Sequence, residues 1–308
     1  MSLNISSSPH LNNDLTTQKV MMHVLIALAP AIAASMIFFR HKALFLLIIC
    51  TLTSALCEQA ITWLRKKPST ISDLSAAVSG ILLALILPPA TTWYAAVLAS
   101  VFSIIIAKQL FGGLGANIFN PALMGRAFLM AAYPKMMTTY SLPYNVDALS
   151  GPTPLALNKF SQVVTPNWDL FIGNIPGSIG ETSALCLIIG GVYLLILRIA
   201  DWRVPLSLLV TSSLVAAIGY AFNPGLGSVA FHLLSGGMLL GALFMATDPV
   251  TTPITKTGRY IFGIGCGIMI MVLRYRSGLP EGVMYSILFM NCLTPLINRY
   301  TRPKRFGI

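Results

Sequence analysis

The chain has 308 residues, 56% of them hydrophobic and only 9% charged, with a mean hydropathy of +0.77. Soluble domains carry about 25% charged residues, so a water-facing enzyme, a disordered chain and a nucleic-acid-binding protein are excluded. The net charge of +11 then reports orientation in a bilayer rather than affinity for nucleic acid.

Residues 1–19 are polar and lack the basic start of a signal peptide. Ala31-Ile32-Ala33 resembles a cleavage site, but Val20–Phe39 reaches the roughly 20 residues that span a bilayer. It is read as a retained first helix. Apolar runs bounded by charge or by Pro and Gly predict nine more: Ala43–Trp63, Ser72–Leu87, Thr92–Ala107, Ile118–Tyr133, Thr182–Ile199, Val204–Phe222, Val229–Ala246, Tyr260–Leu273 and Gly282–Ile297. The fold class expected is an all-α polytopic membrane protein of about ten transmembrane helices. A long polar loop, 134–181, divides the five helices of 20–133 from the five of 182–298, and a basic tail, 299–308, follows.

With the N-terminus in the cytoplasm, thirteen Lys and Arg fall on that side and six on the other, with Arg126 inside a span. The bias predicts both termini inside and the 134–181 loop outside. The halves echo each other: Ser79-Gly80-Ile81-Leu82-Leu83-Ala84-Leu85 resembles Ser235-Gly236-Gly237-Met238-Leu239-Leu240-Gly241, each ahead of a proline (Pro89, Pro249). An odd number of helices per half makes the repeats inverted, with a site expected among short or broken helices. Spans three, four, five, eight and nine carry the Gly and Pro that fit such helices. Gly237-xxx-Gly241 and Gly263-xxx-Gly267 permit close helix contact. The five cysteines form no CxxC pair and no cluster with histidine, so neither disulfides nor zinc is expected.

Charges at mid-helix need a reason. Glu58, Arg126 and Asp248 stand out, with His23 and His232 behind them. Glu58 is close enough to Trp63 to snorkel to the interface, and with Asp248 is a weak candidate for ion coupling. Arg126 suits a phosphate, a flavin edge or a carboxylate. Asp248-Pro249 and Asp73-Leu74-Ser75 read equally as turns or caps. In Gly112-Gly113-Leu114-Gly115-Ala116-Asn117-Ile118-Phe119-Asn120-Pro121-Ala122 the glycines break helix ahead of a span. Irregular backbone at membrane depth is tolerated only when buried or lining a cavity.

The loop carries Asp147-Ala148-Leu149-Ser150-Gly151-Pro152-Thr153-Pro154-Leu155-Ala156. Pro154 pushes Thr153 to an extended conformation, and Gly151-Pro152 favours a turn. The hydroxyl is expected on a rigid, accessible corner.

This loop stretch, the glycine-rich stretch and Ala246-Thr247-Asp248-Pro249-Val250-Thr251-Thr252-Pro253 together resemble one family over nearly the whole chain. It is the RnfD/NqrB family. Its members sit in the Rnf ion-translocating electron transport complex and in the sodium-pumping NADH:quinone reductase. The short N-terminus and Thr153-Pro154-Leu155-Ala156 look more like the Rnf member.

The resemblance implies a flavin transferase that joins FMN through a phosphoester to Thr153, with Asp147, Ser150 and Gly151 as recognition context. Pro152 stands where the family's Ser-Gly-Ala-Thr pattern has alanine. It also implies partner subunits of an Rnf complex that moves electrons between ferredoxin and NAD⁺ while moving Na⁺ or H⁺ across the inner membrane. Noncovalent riboflavin is a further possibility, with Asn120 and Arg126 as weak flavin contacts. The surroundings are membrane lipid, with no nucleic acid and no metal. The NqrB member of the sodium pump, a flavin-free inverted-repeat channel or transporter, and a purely structural scaffold are the alternatives.

Overall fold

The computed structural model describes residues 16–144, 150–278 and 281–303. Each of the ten predicted segments contains helix, the eighth of them broken at 235–237. The first five are α1 (Thr17–Phe39), α2 (His41–Leu64), α3 (Ser75–Ile86), α4 (Trp93–Val101, running on as a π-helix over Phe102–Gln109) and α5 (Pro121–Ala132). After a short α6 (Pro134–Met137), β1 (Tyr140–Ser141) pairs antiparallel with β2 (Ser150–Gly151), and α7 (Pro154–Ser161) and α8 (Asn167–Ile172) follow. The second set is α9 (Ala184–Ile196), α10 (Arg203–Phe222), α11 (Val229–Leu234), α12 (Met238–Leu240, running on as a π-helix over Gly241–Met245), α13 (Lys256–Arg276) and α14 (Val283–Tyr300).

Among the described residues, α1, α2, α10 and α13 are each long and apolar enough to cross a membrane, and the α11–α12 pair is bent by 46° at its break. Helices α3, α5 and α9 and the run Trp93–Gln109 are apolar but shorter. On α2, Leu44, Ile48, Leu52 and Leu56 are all exposed. Four apolar residues spaced by four make a stripe that water would not tolerate and lipid does. The chain is a multi-pass membrane protein whose described residues are mostly helix with almost no strand.

Chain direction and contacts sort the helix ends into two sets. Lys19, Arg65, Lys66, Lys67, Arg198, Arg203, Lys256, Arg259, Arg299 and Arg302 gather at the end where α1 begins, called here the basic end. The described residues of the 134–181 segment lie at the other, the loop end, where the Tyr144 amide donates to Phe38 O. They include more than polar loop: Leu155, Leu170 and Ile175 form a small core with Phe231 of α11.

Two expectations about glycine need correcting. Span nine is unbroken, because the glycines of α13 serve close packing: a Cβ on Gly263 would strike Ser207, and one on Gly267 would come within 2.8 Å of Leu208 O. The Ser-Gly echo is also unequal. Gly80 sits inside α3, where its missing Cβ lets α2 approach. Gly236 instead forms the break between α11 and α12, at φ 63°.

Helix α1 packs against α9 at Gly190, where an added Cβ would collide with the carbonyl of Ala27. Gly190→Leu is expected to lower the thermal unfolding midpoint in detergent, by the equivalent of about 1–3 kcal/mol for overpacking. Gly278→Ala, with open space around it, is expected to leave the midpoint unchanged.

Candidate functional site

Polar chemistry concentrates at three places. At the loop end, Thr153 is extended as expected (φ −64°, ψ 156°) and is the N-cap of α7. Its hydroxyl accepts the Ala156 amide at 3.3 Å, the bond that Ser, Thr, Asp or Asn offers a helix start. Pro154 fits the first helical position because its missing N–H is not needed there.

The accessible corner is not what forms, however: Thr153 is only 4% exposed. Capping turns the hydroxyl toward α7 while Pro154 and Leu155 are buried, Leu155 in the small core. Gly151 pairs with Tyr140, and Ser150 with Ser141, in the β1–β2 ladder. Asp147 lies outside the described residues. Along α7, Leu155, Asn158, Lys159 and Gln162 face an opening of about 540 Å³, counted with its mouth, whose far wall includes His232, Arg274 and Tyr275. Burial pulls Lys159 below the usual lysine range, and its ammonium donates to Arg274 O and Ser277 O.

Below this level, Arg126 of α5 is buried and clamped by two carboxylates. It donates to Glu181 Oε1 at 2.8 Å, just ahead of α9, and to Glu281 Oε2 at 2.6 Å, just ahead of α14. Of the partners considered for Arg126, the structure supplies carboxylates, which take up Nη1 and Nη2, while Nε is buried without a partner among the described residues. Arg274, counted from sequence as a loop charge, is buried in the last turn of α13. It donates to the carbonyls of His232 and Ser235, which the break after α11 leaves without helical partners.

At the basic end, Glu58 does not snorkel: it is 1% exposed. Lys108 Nζ lies 2.9 and 2.8 Å from its two oxygens and 2.6 Å from Ser75 Oγ. Thr70 and Gln109 also donate to Glu58. Asp73 accepts the Ser75 amide and hydroxyl, a cap at the start of α3. Asp248 closes a turn by accepting from the Val250 amide and the Thr251 hydroxyl.

Beside this cluster opens a crevice of about 750 Å³, counted with its mouth. Apolar residues of α1, α3 and α9 wall it, and Ser75, Ser79, Asn117, Asn120 and Asp248 supply polar edges. The glycine-rich segment borders it through Leu114, with Gly112, Gly113 and Gly115 all at positive φ. Only residues without a Cβ adopt that run of conformations cheaply. Asn120 caps α5 by accepting from the Ala122 and Leu123 amides, and donates to Met245 O. His23 bonds to the Tyr193 hydroxyl across α1 and α9, and His232 to Leu226 O.

Sequence reasoning overlooked Lys108, Glu181 and Glu281 as buried partners. The available signal was scarcity. With so few carboxylates in the chain, Arg126 and Glu58 each needed an opposite charge, and span ends were where one could lie.

The buried pair Glu58–Lys108 predicts strong non-additivity. Glu58→Gln or Lys108→Met alone leaves one unpaired group in an apolar site, at about 3–5 kcal/mol each. The double variant is expected to lose less than the sum of the two singles, measured by thermal unfolding in detergent. Additive losses would contradict the pairing.

A family model described as NQR2, RnfD, RnfE matches residues 4–307. Among curated relatives, three are D-lettered members of ion-translocating oxidoreductase complexes. The chain is 44% identical to that of the Na(+)-translocating ferredoxin:NAD(+) oxidoreductase complex of Acetobacterium woodii, covering 100% of this chain and 96% of that one. It is 40% identical to that of the proton-translocating ferredoxin:NAD(+) oxidoreductase complex of Clostridium ljungdahlii, over 98% and 96%. It is also 40% identical to that of the ion-translocating oxidoreductase complex of Stutzerimonas stutzeri, over 95% and 92%. The chain belongs to the NQR2, RnfD, RnfE family.

Proposed function

We infer that this chain is the membrane-embedded, flavin-carrying subunit of an ion-translocating ferredoxin:NAD⁺ oxidoreductase complex of the Rnf type. The carrying observation is full-length similarity to three proteins named as the D-lettered members of ion-translocating oxidoreductase complexes, together with Thr153 in a stretch that resembles the attachment motif except at Pro152. The chain works as one subunit of a redox-driven translocase, with partner subunits supplying and taking the electrons and a flavin transferase for maturation. The excess of basic residues at one end supports an inner-membrane placement with both termini cytoplasmic and the 134–181 segment periplasmic.

The residues around Thr153 fit an FMN phosphoester. An ester oxygen there can go on accepting the Ala156 amide, and the phosphate would sit at the N-terminus of α7, where unpaired amides and the helix dipole favour an anion. At about 1.5 Å per residue α7 is about 12 Å long, so the opening along it is within reach of a flavin anchored at Thr153. Arg274 Nε and His232 Nδ1, both buried without a partner, belong to residues of that opening and offer a ring system its hydrogen bonds. Bound there, the flavin would supply one-electron transfer. The burial of Thr153 means that the transferase must catch the Gly151–Pro154 corner while α7 is unwound at its first turn. The crevice at the basic end, apolar with Asn117, Asn120 and Asp248 at its edges, suits noncovalent riboflavin.

The coupling ion is not chosen by similarity, since relatives at 44% and 40% identity are named for sodium and for protons. Glu58 is bound up by Lys108, which leaves Asp248 as the better of the two coupling candidates.

The test is intact-protein mass after coexpression with the transferase. The chain is expected to gain one FMN less one water, to fluoresce in denaturing gels, and to lose both in Thr153→Ala. Pro152→Ala is expected to flavinylate at least as completely, because it restores the N–H and freedom that proline removes. A chain of unmodified mass with a competent transferase would favour the flavin-free channel, and full electron transfer in Thr153→Ala would favour the scaffold.

A further inference from the structure

A second opening at the basic end lies outside the flavin reading. It adjoins the crevice at Ile199, Ala200, Thr247 and Pro249 and encloses about 1010 Å³ counted with its open side. Arg198, Arg203 and Arg259 ring it, and Asp201 is the one carboxylate among them. Asp201 accepts the Arg203 amide at 2.9 Å and the Arg203 guanidinium at 2.8 Å, and is also bonded to Arg259. Arg259 Nε donates to Pro253 O at 3.1 Å.

Burial works to raise Asp201, but the Arg203 amide and the guanidiniums of Arg259 and Arg203 outweigh it and hold the acid below the usual carboxylate range. It stays ionised and aligns two of the arginines. Three guanidiniums against one carboxylate leave a surplus of two positive charges facing the opening. Guanidinium groups match phosphate oxygens in pairs, as lysine does not.

The surroundings identify the source of the phosphate. Trp202 and Tyr260 are exposed at the rim, edge to face at 6.2 Å, with Arg203 Cζ 5.3 Å from the Trp202 ring centre. Exposed amphipathic rings mark the level where membrane meets water. Toward the membrane interior, Leu206 and Val210 of α10 and Ile264 and Ile268 of α13 are exposed in steps of four. A free phosphate would use the arginines and nothing else. A headgroup with acyl chains would use the arginines, the rings and the apolar columns together.

We propose that Arg198, Arg203 and Arg259 bind a phosphate group at the membrane rim, and that its source is the headgroup of an anionic phospholipid. Basic pockets between helices at the positively charged face are suited to such headgroups. Arg198 is the exposed member, so replacing it tests binding without disturbing the Asp201 pairs.

The experiment is native mass spectrometry of the delipidated full-length chain, titrated with phosphatidylglycerol, with phosphatidylcholine of the same acyl chains, and with glycerol phosphate. The chain is expected to hold phosphatidylglycerol at least tenfold more tightly than phosphatidylcholine. Arg198→Gln is expected to weaken phosphatidylglycerol about fivefold, the contribution of one basic residue near the surface. Arg198→Lys should retain part of the preference, and Arg40→Gln, an exposed arginine at the loop end, all of it. Equal binding of the two lipids, or an undiminished preference in Arg198→Gln, overturns the site. Glycerol phosphate binding as tightly as phosphatidylglycerol overturns the lipid as its source.

Discussion

In an apolar bundle a buried charge needs an opposite charge or a full set of hydrogen-bond acceptors or donors, and this chain has 20 cations but only nine carboxylates. Three of those carboxylates neutralise two buried cations. Arg126 holds Glu181 and Glu281, and Lys108 holds Glu58. Each pairing joins segments far apart in sequence, so electrostatic necessity becomes architecture. Arg126 ties the middle of α5 to the entries of α9 and α14. Lys108 ties the end of the α4 run to α2 and, through Ser75, to the start of α3. The short helices between these points need not grip lipid by their own length, because the pairs fix their ends.

Short and broken helices leave peptide groups open, and each break is met by a side chain placed for it. Arg274 serves the carbonyls exposed after α11. Lys159, reaching from the loop end, serves those at the end of α13. Asn120 serves both the amides that open α5 and the carbonyl that ends the π-turn at Met245. The π-helical stretches lie in the α4 and α12 runs, beside the crevice, where Lys108 and Phe244 line it. Wide turns of this kind concentrate at functional sites, and both stretches supply lining to the crevice.

The helical pattern was legible because apolar length and punctuation are local. The glycine-rich break at 112–115 was legible for the same reason: three glycines in four residues leave little else to form. What failed was everything set by distant partners. Glu58 resembled a snorkelling residue because its partner Lys108 is fifty positions away in sequence. Span nine resembled a broken helix because its glycines are the same letters whether they end a helix or admit a neighbour, and only α10 decides. Thr153 was read correctly as extended and wrongly as exposed. Proline dictates its backbone, but its burial depends on Leu155 meeting Leu170, Ile175 and Phe231 across the loop. The paired Ser-Gly motifs follow different backbones, Gly80 inside α3 and Gly236 at the break after α11.

The same charge accounting separates Asp248 from the carboxylates that hold buried cations. Glu58 has its oxygens engaged by Lys108, Gln109 and Thr70, and displacing that ammonium would strand a cation in an apolar site. Glu181 and Glu281 share Arg126 under the same constraint. Among the described residues, the Asp248 side chain accepts from a backbone amide and a hydroxyl of its own turn and from no cation, and it borders the crevice where α3 and the glycine segment meet. A carboxylate that can exchange its partners cheaply is the kind that couples an ion to a change of charge nearby. A carboxylate locked to a buried cation can only hold the structure still around it.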